Sequence, residues 1–342
     1  RCRTDGVDLH GKRFDLDDLL QRAGLRGAVR RSLIALIFAA FSTFAAADNL
    51  TLMGVSGGDA GAAAGYQGPG DIASGAIAFY SAGRAYNAAY AAAQSPLADL
   101  VDTTTGLATC TLNVGTNGFA NLTAVVCPTG APTVSVMTFC TVTHAGCSIT
   151  KLYDQTGNGN HVVQATLANM PALTFNAQNG LPCAAGTNTA AMNLESAGTI
   201  SQAAPYSLIS VVERTGSFTT LQRIMRNGTA GAGGMNWSVS ANTINVNNGT
   251  SAALTANDNT FHALLDVASG TAPLFAVDSS ANTSTLSNGT TALSSNIFFM
   301  GVGTAAVLAG FVCESGLWAA DLNSSYQAML ANMRSATNGW NF

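Results

Sequence analysis

The sequence predicts an all-β, jelly-roll-like sandwich closed by one short C-terminal α-helix, occupying residues 75–342. Three observations predict it. Segments such as 207–212, 261–267 and 311–318 are short, apolar and rich in β-branched or aromatic residues, the composition of strands. Asn-Gly, Gly-Thr and Asp-Asn pairs separate them at regular spacing, as turns of a sandwich do. Sustained helical spacing falls near the C-terminus, at Leu322, Tyr326, Met329, Leu330 and Met333.

Taken in order, residues 1–29 are rich in Arg and Asp, match no export pattern, and are set aside as a leader outside the fold. Arg30-Arg31, an apolar run and Ala45-Ala46-Ala47 then form the three parts of a signal peptide over 30–47. The run is shorter than the roughly 20 apolar residues of a bilayer-spanning helix and is broken by Ser and Thr, so cleavage is expected over anchoring. The expected location is therefore secreted, extracellular or periplasmic, with no stable membrane insertion after cleavage. Residues 48–74, rich in Gly and Ala, read as a flexible lead-in.

From 76 to 93 the small residues with Tyr80, Tyr86 and Tyr90 predict a short helix, against which Gly83 argues. Residues 96–150 alternate apolar and Thr/Ser positions, and 133–139 in particular read as a half-buried strand. Further strands are expected at 237–240, 243–246, 274–277 and 297–302. Asn227-Gly228, Asn248-Gly249 and Asn288-Gly289 are candidate hairpin tips. Asp321 or Asn323 is available to cap the final helix.

Of 14 Lys and Arg residues, eight lie at or before Arg31; beyond it six bases face 13 acids, a formal charge of −7. Such a chain has no basic patch to neutralise phosphates, which argues against nucleic acid as a partner. Six cysteines follow the leader. An even number in an exported chain reads as disulfides, although six allow 15 pairings. Short loops favour Cys110–Cys127 and Cys140–Cys147, which leaves Cys183–Cys313. Paired short spacings of the kind zinc prefers are lacking, so neither a metal nor a cofactor is expected.

The most distinctive segment is a short Cys140–Cys147 loop, a strand, and then Tyr153-Asp154-Gln155-Thr156-Gly157-Asn158-Gly159-Asn160-His161, with Gln164 close behind. As a structural turn it is well made: Asp154 and Asn158 suit bonds to the turn's own backbone, and both glycines can take positive φ. The segment also resembles the catalytic domain of α-L-arabinofuranosidases of glycoside hydrolase family 54. Arg84-Ala85-Tyr86, Gly301-Val302-Gly303 and the stretch from Gly310 to Glu314 extend the resemblance loosely from Ala76 to the C-terminus. It implies a concanavalin A-like sandwich, consistent with the strand pattern.

The resemblance also implies two catalytic carboxylates. The family's nucleophilic Glu falls at Thr229 here and its acid/base Asp at Ala305, while Leu221 and Gln222 replace a pair of sugar-contacting cysteines. Replacement carboxylates are few. Glu213, Glu314 and Asp154 are the leading candidates, with Glu195, Asp258, Asp266 and Asp278 completing the pool. A Ser-His-Asp nucleophile lacks its Gly-x-Ser-x-Gly elbow. Asp154, Asn158, His161 and Trp237 are the candidate ligand contacts, with Trp237 and Trp318 each equally suited to a sugar face or a core. Three functions are expected to compete. The favoured one is a carbohydrate-binding module for an arabinose-containing polysaccharide or surface glycan, with catalysis lost or altered. The others are an active arabinofuranosidase acting on plant polysaccharide side chains and a structural surface or appendage protein.

Overall fold

The computed structural model describes residues 5–7, 13–15, 65–128, 133–187, 192–215, 222–228, 234–237, 243–246, 250–255, 259–269, 273–282, 292–301 and 307–342. The chain divides into two units, 1–58 and 59–342. In the first, Asp5–Val7 pairs antiparallel with Arg13–Asp15. The signal segment, the expected tips at 248–249 and 288–289, and Leu221, Thr229, Asp258 and Ala305 lie outside the described residues.

In the second unit the sandwich strands are β1 (Ala76–Ser81), β2 (Pro96–Asp102), β3 (Thr109–Asn113), β4 (Cys147–Leu152), β5 (Val162–Val163), β6 (Ala172–Gln178), β7 (Leu181–Thr187), β8 (Leu194–Ser196) and β9 (Tyr206–Arg214). They continue as β10 (Gln222–Asn227), β11 (Gly234–Trp237), β12 (Thr243–Val246), β13 (Thr250–Thr255), β14 (Phe261–Ala268), β15 (Leu274–Val277), β16 (Ser280–Asn282), β17 (Ile297–Phe299) and β18 (Ala309–Trp318). Every pairing among them is antiparallel. One layer runs β16-β15-β14-β9-β18, where β18 continues to β7 through its first half and to β1 through its second. The other runs β3-β2-β4-β5-β8-β17-β10-β11-β12-β13. β6 pairs with β7 and touches β4, joining the layers at one edge.

Side-chain alternation explains the layering. Along β9, Tyr206, Leu208 and Val212 enter the main core, where they meet Leu97, Leu100, Ile149, Leu152, Ile224 and Met235 of the second layer. Ile209 and Val211 point the other way, into a second cluster with Ala263, Leu265, Val267, Met329, Leu330, Met333 and Trp340. β9 and β14 are therefore buried on both sides and read as continuous apolar runs, whereas β3 alternates exposed Thr109 with buried Cys110 and Leu112.

The C-terminal helix, Tyr326–Arg334, turns Met329, Leu330 and Met333 inward onto the first layer. Its cap corrects the expectation: Ser325 holds the N-cap position without a side-chain bond, and Asp321 Oδ1 instead accepts from Asn323 N at 2.8 Å. The expected helix over 76–93 is also corrected. Residues 76–81 form β1, paired with the second half of β18 and buried except at half-buried Ile77, and the helix is confined to Ala88–Ala92 with Asn87 as its cap. Gly83 between them sits against Trp340, where a Cβ would come within 2.3 Å of the indole. At 133–139, only Val134–Ser135 is strand; Ser135 then caps a helical turn that passes into a π-helix, Phe139–Thr143. Three disulfides are formed, Cys110–Cys127, Cys140–Cys147 and Cys183–Cys313.

Candidate functional site

The Tyr153–His161 turn follows β4 and is stitched onto β1. Asp154 is buried and uses both oxygens: Oδ1 accepts from Phe79 N at 3.2 Å, Thr156 N at 3.1 Å and Thr156 Oγ1 at 2.8 Å, and Oδ2 accepts from Asn160 N at 2.9 Å. Asn158 Nδ2 donates to the carbonyls of Ala76 and Ile77, and Asn160 Nδ2 to Ile77 O. Gln155 bridges Tyr86 N to the carbonyls of Ser81 and Arg84. Gly157 and Gly159 sit at φ +87° and +77° with open space around them, so backbone conformation alone calls for glycine. These bonds make Asp154 and Asn158 organisers of the turn.

Glu314 and Arg84 form a second structural hub. Both are fully buried; the Arg84 Nε–Glu314 Oε2 distance is 2.5 Å, Nη2 donates to Oε1 at 2.7 Å, and Trp340 Nε1 donates to Oε2 at 2.9 Å. Arg84 Nη1 also donates to Asn332 Oδ1 at 2.8 Å. The hub ties β1 and β18 to the C-terminal segment, so the carboxylate of Glu314 is enclosed by protein donors away from solvent. Trp318 is likewise core, donating to Ala73 O.

The other described acids are dispersed. Glu213 is half-buried in β9 opposite Phe261 and Phe311. Asp266 lies wholly inside the main core, where burial pushes its carboxyl well above the usual carboxylate range. Asp278 Oδ2 meets His262 Nδ1 at 2.9 Å, and its Oδ1 accepts from Ala263 N. Glu195 accepts from Asn296. The carboxyl of Asp102 would be raised by burial, but donors from Thr105, Ala108 and Thr104 outweigh this and hold it well below the usual range.

One polar group of side chains does face outward. Across the second layer, register places Thr111 opposite Asp99, Asp99 opposite Lys151, and Lys151 opposite Val163. Thr111 Oγ1 donates to Asp99 Oδ1 at 2.8 Å, and the Tyr153 hydroxyl donates to Asp99 Oδ2 at 2.9 Å. Lys151 Nζ lies 4.0 Å from the centre of the Tyr153 ring, and His161 meets that ring edge-on at 5.1 Å. Burial and the Asp99 bond push the Tyr153 phenol up to about 12. Burial, with Lys151 acting in the same sense, lowers the imidazole of His161 against the opposing pull of Asp154 and Asp99. The neutral ring is also what the geometry uses, because Nδ1 accepts from Asp154 N at 3.0 Å.

Structure thus brings His161 together with Tyr153, named in the sequence only as the start of the turn, and with Asp99 and Lys151, which sequence reading did not single out. The available signal was the alternation at Asp99 and at Thr109, Thr111 and Asn113, ordinary for a half-exposed strand. Trp237 ends β11, and its side chain lies outside the described residues.

No protein-family model matches the sequence, and no curated protein matches it. Solved structures do. An arabinofuranosidase complexed with arabinofuranosyl-α-1,2-xylobiose aligns with a TM-score of 0.57 at 17% identity, over 79% of this chain and 65% of that one. A mutant of a glycoside hydrolase family 54 α-L-arabinofuranosidase, soaked with 4-nitrophenyl α-L-arabinofuranoside, aligns at 0.54 and 17%, over 77% and 65%. The same kind of enzyme soaked with a cyclic sulfate inhibitor aligns at 0.51 and 18%, again over 77% and 65%. The chain therefore spans about 65% of the length of these enzymes, and the likeness is one of fold: a β-sandwich of the family 54 α-L-arabinofuranosidase type.

Proposed function

We propose that this chain is an exported carbohydrate-binding protein that keeps an arabinofuranosidase-type sandwich and has lost or altered the hydrolytic chemistry. The observation that carries this reading is the use made of the described acids. Retaining glycosidases need two carboxylates about 5–5.5 Å apart, both able to reach the sugar. Here Glu314 is enclosed by Arg84 and Trp340, and Asp154 is consumed by its own turn. Asp102 and Asp278 likewise accept backbone donors, and Asp266 is inside the core. Three disulfides and an export-type leader suit an extracytoplasmic setting. His161 and Trp237 are the ligand contacts carried over from the sequence.

The competing reading, an active arabinofuranosidase, draws on the same fold likeness and would place its carboxylates among Glu213 and residues such as Asp258. Incubation of the purified protein with 4-nitrophenyl α-L-arabinofuranoside distinguishes the two. No release of 4-nitrophenol, together with retardation in arabinoxylan-containing native gels, is the expected result. Turnover that is lost in Glu213→Gln would overturn the binding-only reading.

A further inference from the structure

An open cleft of about 480 Å³ lies on the outer face of the second layer, bordered by Asp99, Thr109, Thr111, Thr150, Val126 and Pro128. We propose that this cleft is a subsite for a neutral sugar ring presenting two adjacent hydroxyls, with Asp99 as its central acceptor. The proposal rests on the carbohydrate-binding reading and gives that reading a location.

The chemistry follows from how Asp99 is held. A carboxylate offers about four lone-pair positions. Thr111 occupies one on Oδ1 and Tyr153 one on Oδ2, leaving each oxygen able to accept one more bond. Two acceptors fixed side by side match two hydroxyls on neighbouring ring carbons. The clamp also removes the rotamer freedom that a ligand would otherwise have to freeze. Thr150 also borders the cleft; its hydroxyl donates its own proton to Gln164 O at 3.0 Å, so toward a ligand it can act only as an acceptor. Val126, 42% exposed, and Pro128 form an apolar wall suited to the C–H face of a sugar.

Other ligand classes fit less well. Asp99 is the charged residue that lines the cleft, and Lys151, opposite it in register, lies outside the lining, so an acidic group set against Asp99 meets repulsion. A calcium ion takes six to eight oxygen ligands, and one carboxylate already holding two hydroxyls is a poor start. The volume lies within the range of about 300–1,000 Å³ typical of small-ligand sites.

The test is affinity electrophoresis and titration calorimetry of the whole protein with arabinoxylan, debranched arabinan and xylan, with polygalacturonate as the acidic comparison. Asp99→Ala and Thr150→Val are expected to weaken binding to a neutral glycan at least about tenfold and about threefold, respectively, with thermal melting of the proteins recorded in parallel. Thr109 is exposed, so Thr109→Trp fills the cleft without burdening the core and decides the matter should Asp99→Ala fail to fold. Wild-type binding to a neutral glycan that all folded variants retain within twofold would overturn the cleft while leaving carbohydrate binding intact. Failure of the wild-type protein to bind any of these glycans would overturn both. Tighter binding of polygalacturonate, abolished by Thr109→Trp, would overturn the neutral-sugar assignment alone.

Discussion

The outward side of the first layer and that of the second are treated in opposite ways. On the first, Ile209, Val211, Leu265 and Val267 are roofed by Met329, Leu330, Met333 and Trp340, and the charged pair Arg84–Glu314 is sealed beneath the same C-terminal segment. On the second, Asp99, Thr111, Lys151 and Tyr153 are only half-buried, and a cleft opens beside them. Charges occur on both sides, but their environments assign them different work. A desolvated, fully hydrogen-bonded pair resists disruption and holds strands to the chain end. A clamped but accessible carboxylate retains acceptor capacity for something that arrives from solvent.

Breaking the sealed side has the largest expected effect. Glu314→Gln leaves Arg84 buried without its counter-charge, for a loss of about 3–5 kcal/mol, measured as a shifted urea midpoint. A loss below about 1 kcal/mol would show that the hub is not a stability element, because the penalty for an uncompensated buried charge is larger. Next, Met329→Ala is expected to cost about 2–5 kcal/mol through lost burial and cavity formation. Val163→Ala on the open side should stay within about 0.5 kcal/mol, as surface changes usually do. Comparable losses from these two would erase the distinction between the sides.

Acid titration sharpens the comparison further. The folded-state carboxyl of Asp102 lies below its unfolded value of about 4. Its stabilising contribution is therefore complete above that pH and declines as pH falls through the folded value. Asp102→Asn should remove this part of the acid dependence, seen by comparing chemical denaturation at pH 5 and pH 3. The smallest effect belongs to His161. Its imidazole is lowered from 6.5, so the folded state takes up the proton later than the unfolded chain. The protein should lose some stability as pH drops below 6.5 through the folded value, since protonated Nδ1 can no longer accept from Asp154 N. His161→Gln should flatten that slope; an unchanged slope would assign it to other groups.

Legibility in the sequence followed burial. β9, β14 and β18 were readable because strands covered on both sides become apolar runs, and the final helix because its buried methionines and leucine recur at helical spacing. β1 was not, because its small and aromatic residues suit a helix as well as a strand, and only pairing with β18 decides between them. The 133–139 segment failed for a related reason. Its alternation matched a strand, but the Ser135 cap and the Cys140–Cys147 bridge accompany a helical turn there. At the site, the 153–161 motif named both the turn and the acid that bonds its backbone, but not the further bond that Asp154 accepts from Phe79 N on β1.

The β-sandwich, the C-terminal helix and the polar turn after Tyr153 were legible in the residues alone, because periodicity, turn chemistry and helical spacing are local properties of the chain. Tertiary structure alone decided which carboxylates are sealed and which are accessible. Glu314 and Asp99 are each one acid among apolar neighbours in the sequence. Only the tertiary partners, Trp340 from the C-terminal segment, Thr111 from the adjoining strand and Tyr153 from the turn after β4, fix how much water and how many donors each one meets.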